Sequence, residues 1–125
     1  MEGSEKQIYF LIYAVVGMTF SPIGEELLYR GIIHGSFATQ LGERKASWVD
    51  SLAFAVTHLA HFGIVFISGA WTFFLLPGLL WVIFMGAVSL LFLACKEKTG
   101  SILGAILCHA GYNFAMVYFI FYYIL

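Results

Sequence analysis

SLAFAVTHLAHFGIVFISGAWTFFLLPGLLWVIFMGAVSLLFLAC, residues 51–95, runs for 45 positions without a formal charge. A membrane-spanning helix needs roughly 20 apolar residues, so this stretch has room for two spans and a short turn. The rest of the chain agrees with it. Of 125 residues, 62% are apolar and only 10% are charged, against about 25% charged in a soluble domain. Such a chain cannot clothe itself with a polar surface in water, and its solvent is lipid. With six basic residues and a net charge of −1, it has no electrostatic footprint for a phosphate backbone, so a nucleic-acid partner is excluded.

The uncharged stretch is bounded by two charged islands, Glu43-Arg44-Lys45 with Asp50 and Lys96-Glu97-Lys98. A third lies in the tail at Glu2, Glu5 and Lys6. The fold class that follows is all-α, a polytopic membrane bundle of about four spans in a single domain, residues 1–125. Helix 1 is expected from about Gln7 to Leu41, broken near Ser21-Pro22, because Pro22 lacks a backbone donor and disfavours helix at Ser21. Helix 2 is expected from about Trp48 to Ser68. Helix 3 runs from about Trp71 to Cys95, kinked or delayed by Pro77-Gly78, and helix 4 from about Ser101 to the C-terminus. Continuous apolar runs without alternation argue against barrel strands.

Both internal islands carry two Lys or Arg residues, and the turn at 68–71 carries none. The positive-inside rule therefore places loops 42–50 and 96–100 in the cytoplasm. The Glu-rich start does not match the positive n-region of a cleaved signal peptide. Cys95 and Cys108 lack the spacing of a metal or redox motif and read as packing thiols.

Three charged residues escape the islands: Glu25, Glu26 and Arg30. Ionisable groups at membrane depth are costly and mark function or pairing. His34, His58, His61 and His109 join them, with Asn113 as a neutral companion. On a helix, Glu26 and Arg30 are four apart and face each other in the favourable order, while Glu25 is rotated by about 100° and stays free to act as a base. Phe54, His58 and His61 share one helical face. His109 and Asn113 are four apart and point the same way, amid small residues (Gly104, Ala105, Ala110, Gly111) that permit close helix approach. Read separately, each segment has a plain alternative: a snorkelling charge cluster, packed core histidines, or interhelical hydrogen bonds.

Together they supply a carboxylate, imidazoles and an amide, the groups needed to activate water and stabilise a tetrahedral intermediate. Two chemistries are open. Glu25 and His58 activate water directly while His109 and Asn113 bind the oxyanion; or Glu25, His58 and His109 hold a divalent metal such as zinc that activates it. No HExxH motif is present.

In this order, Glu25-Glu26-x-x-x-Arg30, Phe54-x-x-x-His58 and His109-x-x-x-Asn113 resemble the three signature motifs of the CPBP intramembrane proteases. That family joins CAAX prenyl proteases and bacteriocin-processing enzymes and is also called Abi. The resemblance implies an intramembrane endopeptidase in which Glu25 activates water, Glu26 and Arg30 complete the first motif, His58 assists, and His109 with Asn113 forms the oxyanion site. His61 lies outside the motifs, as a neighbour. The implied substrate is a peptide or a prenylated protein, met in membrane lipid, with either no cofactor or a divalent metal.

Family members usually carry additional helices before the first motif. The chain, a catalytic core with little else, is therefore expected to be a minimal or N-terminally short member, a fragment, or a unit that assembles with an oligomer or partner subunit supplying the missing helices. Two other functions compete: a catalytically idle relative serving as membrane scaffold or immunity partner, and a proton pathway built from Glu25, His58 and His109.

Overall fold

The computed structural model describes residues 3–125 and is an all-α bundle with one small hairpin. The first helical course, Gly3–Leu41, has four parts: α1 (Gly3–Met18), α2 (Phe20–Glu26), a π-helical turn (Leu27–Ile33) and α3 (His34–Leu41). The interruption falls at Thr19, just upstream of Pro22. This places the proline in the first turn of α2, where a missing backbone donor costs little. Gly42, at φ 81°, turns the chain into α4 (Glu43–Thr57), which is followed by the short α5 (Leu59–Phe62). Then come the strands β1 (Ile64–Ile67) and β2 (Ala70–Phe73), and the long helices α6 (Leu75–Thr99) and α7 (Ile102–Phe119), with a closing π-helical turn at Ile120–Ile124.

The second helix differs from expectation. It begins at Glu43 rather than Trp48 and stops at Thr57 rather than Ser68, and residues 64–73 form an antiparallel hairpin, Ile64 opposite Phe73 and Ile67 opposite Ala70. Both strands are rich in β-branched and aromatic residues, which suit a pleated surface. Ser68 and Gly69 both have positive φ, 52° and 84°, the conformation a tight two-residue hairpin turn requires. A continuous apolar run cannot by itself separate strand from helix, and here the turn chemistry decides. At 15 residues, α4 reaches about 22 Å, short of the ~30 Å hydrocarbon layer. Among the described residues, three helical courses are long and apolar enough to cross a membrane: Gly3–Leu41, Leu75–Thr99 and Ile102–Ile124.

The delayed start of the third expected helix is observed. α6 opens at Leu75, with Pro77 in its first turn. It closes where Gly100 adopts φ 65°, its N–H bonding to Glu97 O and that of Ser101 to Lys96 O. This is the Schellman arrangement that satisfies the last carbonyls of a helix. Ser101 then caps α7 through Leu103 N at 3.2 Å.

That tight corner makes a test. A Cβ on Gly104 would collide with the Thr99 side chain and stand 2.8 Å from Cys95 O, and Thr99 Oγ1 is itself held on Cys95 O at 2.7 Å. Gly104→Ala is expected to destabilise by about 1–3 kcal/mol, the usual cost of overpacking. Gly111→Ala, where a Cβ meets nothing within 4 Å, should be close to neutral. Denaturant unfolding in detergent micelles measures both.

The core is where α4, α6, α7 and the π-helical turn meet. Tyr29, Phe54, Ala55, Met85, Val88, Phe92 and Ala105 are buried together. Ala14, Val117 and Phe121 join α1 to α7 and its closing π-helical turn. Outside, large apolar residues such as Leu11, Leu79, Ile83 and Leu107 stand exposed, a pattern that fits lipid rather than water. The Lys96 charge acts on Glu43, so these two residues, one from each basic island, lie toward the same end of the bundle.

Candidate active site

The first motif folds across a change of helix type. Glu25 and Glu26 end α2, while Arg30 sits in the π-helical turn. Wide π turns inside α-helices occur frequently at functional sites. Glu26 is wholly buried and Arg30 is 2% exposed. They pair as the four-residue spacing predicted, with Arg30 Nε 3.2 Å from Glu26 Oε2 and Nη1 donating to Oε1 at 3.3 Å. The guanidinium also lies 4.9 Å from the Phe54 ring centre, and Nη2 donates to both the carbonyl and the hydroxyl of Ser89. A charge taken out of lipid is thus surrounded by one carboxylate, two oxygen acceptors and an aromatic face.

Glu26 extends the chain of contacts to α7. Its Oε1 lies 2.8 Å from His109 Nδ1. A carboxylate paired with arginine accepts, so Nδ1 carries the hydrogen and Nε2 points the other way. Phe92 fixes the ring plane by stacking, centroids 4.3 Å apart and 15° from parallel. On the free side, His109 Nε2 is 3.9 Å from Glu25 Oε2.

His58 approaches Glu25 from the junction of α4 and α5. Its Nδ1 is 2.6 Å from Phe54 O. A carbonyl can only accept, so the hydrogen sits on Nδ1, and Nε2 of the neutral ring is an acceptor. That nitrogen is 3.5 Å from Glu25 Oε2. Phe54 stacks on the ring at 4.3 Å, and Trp81 Nε1 donates to His58 O at 3.0 Å. Glu25 is held from its other oxygen by Ser21 Oγ at 2.5 Å. Its Oε2 is buried and makes no hydrogen bond to protein.

These groups line a cavity of about 410 Å³ whose other walls are mainly apolar and aromatic, among them Tyr13, Trp81, Met85, Phe92 and Tyr112. Asn113 borders it and donates from Nδ2 to Gly17 O at 2.9 Å. An amide nitrogen carries a second N–H. His61 also borders the cavity, its ring 5.4 Å from that of His58.

All six expected residues, Glu25, Glu26, Arg30, His58, His109 and Asn113, therefore converge from α2, the π turn, the α4–α5 junction and α7. Among the described residues, no group of three or more His, Cys, Asp or Glu is arranged to hold a metal ion.

His34 is elsewhere. Its Nδ1 is 2.8 Å from Asp50 Oδ2 and its Nε2 is 2.8 Å from Glu43 Oε2. This corrects the reading of Asp50 as a loop marker: it is wholly buried in α4 and also takes the Ser51 hydroxyl at 3.1 Å. His34 holds the Glu43 carboxyl below the usual carboxylate range, as a hydrogen bond to the charged form does. Ser21 and Ser89 were missed as well. A lone serine in an apolar run carries no periodic signal, and only the fold shows what it faces.

A family model described as type II CAAX prenyl endopeptidase Rce1-like matches residues 7–115. No curated protein and no solved structure matches.

Proposed function

The chain belongs to the Rce1-like family of type II CAAX prenyl endopeptidases, among the CPBP intramembrane proteases, and on that premise we propose that it hydrolyses a peptide bond with water activated by Glu25 and His58. The observation that carries the reading is a pair of acceptors. Glu25 Oε2 and His58 Nε2 lie 3.5 Å apart on the cavity wall, and a water donating one hydrogen to each would turn its lone pair toward the cavity. Glu25 takes one proton as the new C–O bond forms, and the carbonyl electrons move onto oxygen. The free N–H of Asn113 and a protonated His109 Nε2 stabilise that oxyanion. Protonated His109 would stand between Glu25 and Glu26, the latter already balanced by Arg30. Glu25 then returns its proton to the leaving nitrogen as the C–N bond breaks. Each step uses groups already fixed in place, which is how enzymes stabilise developing charge without reorganising.

The substrate is a peptide or protein segment, prenylated or not, reached from the membrane. The basic residues at the start of α4 (Arg44, Lys45) and the end of α6 (Lys96, Lys98) face the cytoplasm by the positive-inside rule, which puts cleavage toward that side. The test is reconstitution in lipid with a fluorogenic peptide library, alongside Glu25→Ala and His109→Ala. Activity surviving both changes sinks the assignment. The same assay after dialysis against a chelator is expected to show unchanged turnover; loss that zinc restores would favour the metal route instead. Asn113→Ala should lower kcat by about 10²–10³, the usual cost of one oxyanion donor, with KM little changed.

A further inference from the structure

We propose that Ser89, which lies outside all three motifs, is a positioning residue that sets the orientation of His109 through Arg30 and Glu26. The proposal rests on the peptidase reading for its kinetic consequence but not for its structural one.

Ser89 is wholly buried in α6. Its carbonyl and its hydroxyl both accept from Arg30 Nη2, at 2.6 and 2.5 Å. Two acceptors on one nitrogen leave the guanidinium little freedom to swing about the Glu26 carboxylate. Arg30 then presents Nε and Nη1 to Glu26, and Glu26 Oε1 takes the Nδ1 hydrogen of His109. The relay runs from α6 through the π turn and α2 to α7.

Phe92, one helical turn after Ser89 and so on the same face of α6, stacks on the His109 ring. One face of α6 thus holds the imidazole twice, in its plane by Phe92 and in its rotation by the relay that begins at Ser89. Arg30 without the hydroxyl keeps one acceptor on Nη2. Its charge remains paired, but its angle to Glu26 is no longer fixed. The consequence falls on His109, whose Nε2 must meet the cavity at a set position. A displacement of about 1 Å far from the chemistry can cost 10²-fold in rate.

The experiment compares wild type with Ser89→Ala and Ser89→Thr in micelles, by steady-state kinetics and by NMR of the [¹⁵N]histidine-labelled protein, with the His109 signals assigned by His109→Gln. Ser89→Ala is expected to lower kcat about tenfold, within the range that misplaced groups cost, while KM stays within about twofold of wild type. Its His109 Nδ1 proton resonance should shift upfield or broaden as the bond to Glu26 loosens. Ser89→Thr, which keeps the hydroxyl, should restore both.

A folded Ser89→Ala protein with wild-type kcat and an unchanged His109 resonance overturns the proposal. A change in kcat with no change in that resonance also overturns it, because the relay would not then be the route. If Ser89→Ala fails to fold, Ser89→Cys serves in its place, a near-isostere with a weaker acceptor; an unaltered resonance there is equally fatal. Should no peptide be cleaved by the wild type, the peptidase reading fails, while the resonance still decides the role of Ser89.

Discussion

Glu25→Gln is expected to lower kcat by roughly 10²–10⁴, the contribution typical of a positioned general base, with the melting temperature in micelles unchanged. The substitution keeps the shape of the side chain and its contact with Ser21 Oγ, since the amide oxygen still accepts. It replaces Oε2 with a nitrogen that cannot take a proton and that donates instead of accepting. That nitrogen would face His58 Nε2, now 3.5 Å from Glu25 Oε2, and bond to it directly. The pair of acceptors becomes a closed contact, and the water loses both its base and its seat. Turnover by purified protein in lipid measures this. A variant within about tenfold of wild type would contradict the role of Glu25 as the base, whose removal should cost at least the lower end of that range.

The second large effect is on stability. Arg30→Met should cost about 3–5 kcal/mol, the penalty for leaving one member of a buried ion pair uncompensated. The side chain has a similar length and fits among Phe54 and Phe92, so packing loss is small and the loss of the Arg30 counter-charge dominates, leaving Glu26 with His109 Nδ1 alone. Glu26→Gln in the same background removes the Glu26 charge, and the double variant is expected to recover a large part of the loss. Unfolding in micelles for the two single variants and the double variant forms the cycle. If Arg30→Met costs less than about 1 kcal/mol, the pair is not the buried, uncompensated kind, and its role lies in orientation alone.

The two predictions draw on different levels of legibility. The Glu26–Arg30 pair could be read from the sequence because a four-residue spacing on a helix fixes which side chains meet, and Arg30 meets Glu26 even though the helix widens there. The convergence of Glu25, His58 and His109 rested on a resemblance of motifs, since nothing in the periodicity of three apolar helices says how they pack. The hairpin at 64–73 was read as helix because Ile-Val-Phe-Ile and Trp-Thr-Phe sit in an unbroken apolar run, where alternation, the strand signal, has no polar residues to show itself. Asp50 was read as a topology marker because it stands beside Arg44 and Lys45 in sequence. Its partner, His34, is sixteen residues earlier, and the sharp turn at Gly42 brings the two together. Ser89 illustrates the limit most clearly: its importance lies wholly in facing Arg30, 59 positions away.

The π-helical turn at Leu27–Ile33 has a mechanical meaning beyond its place in the motif. A π-helix bonds each residue to one five positions on, so each residue advances through a smaller angle than in the α-helix on either side. Over seven residues this accumulates a phase lag. The segment is a torsional adaptor: upstream, the face bearing Glu25 and Glu26 is aligned with the cavity, and downstream the face bearing His34 is aligned with Asp50. Wound at the α pitch, the same seven residues would turn further and leave one of those alignments out of register, so the helix can satisfy α4 and α7 at once only because it is wound too loosely in the middle.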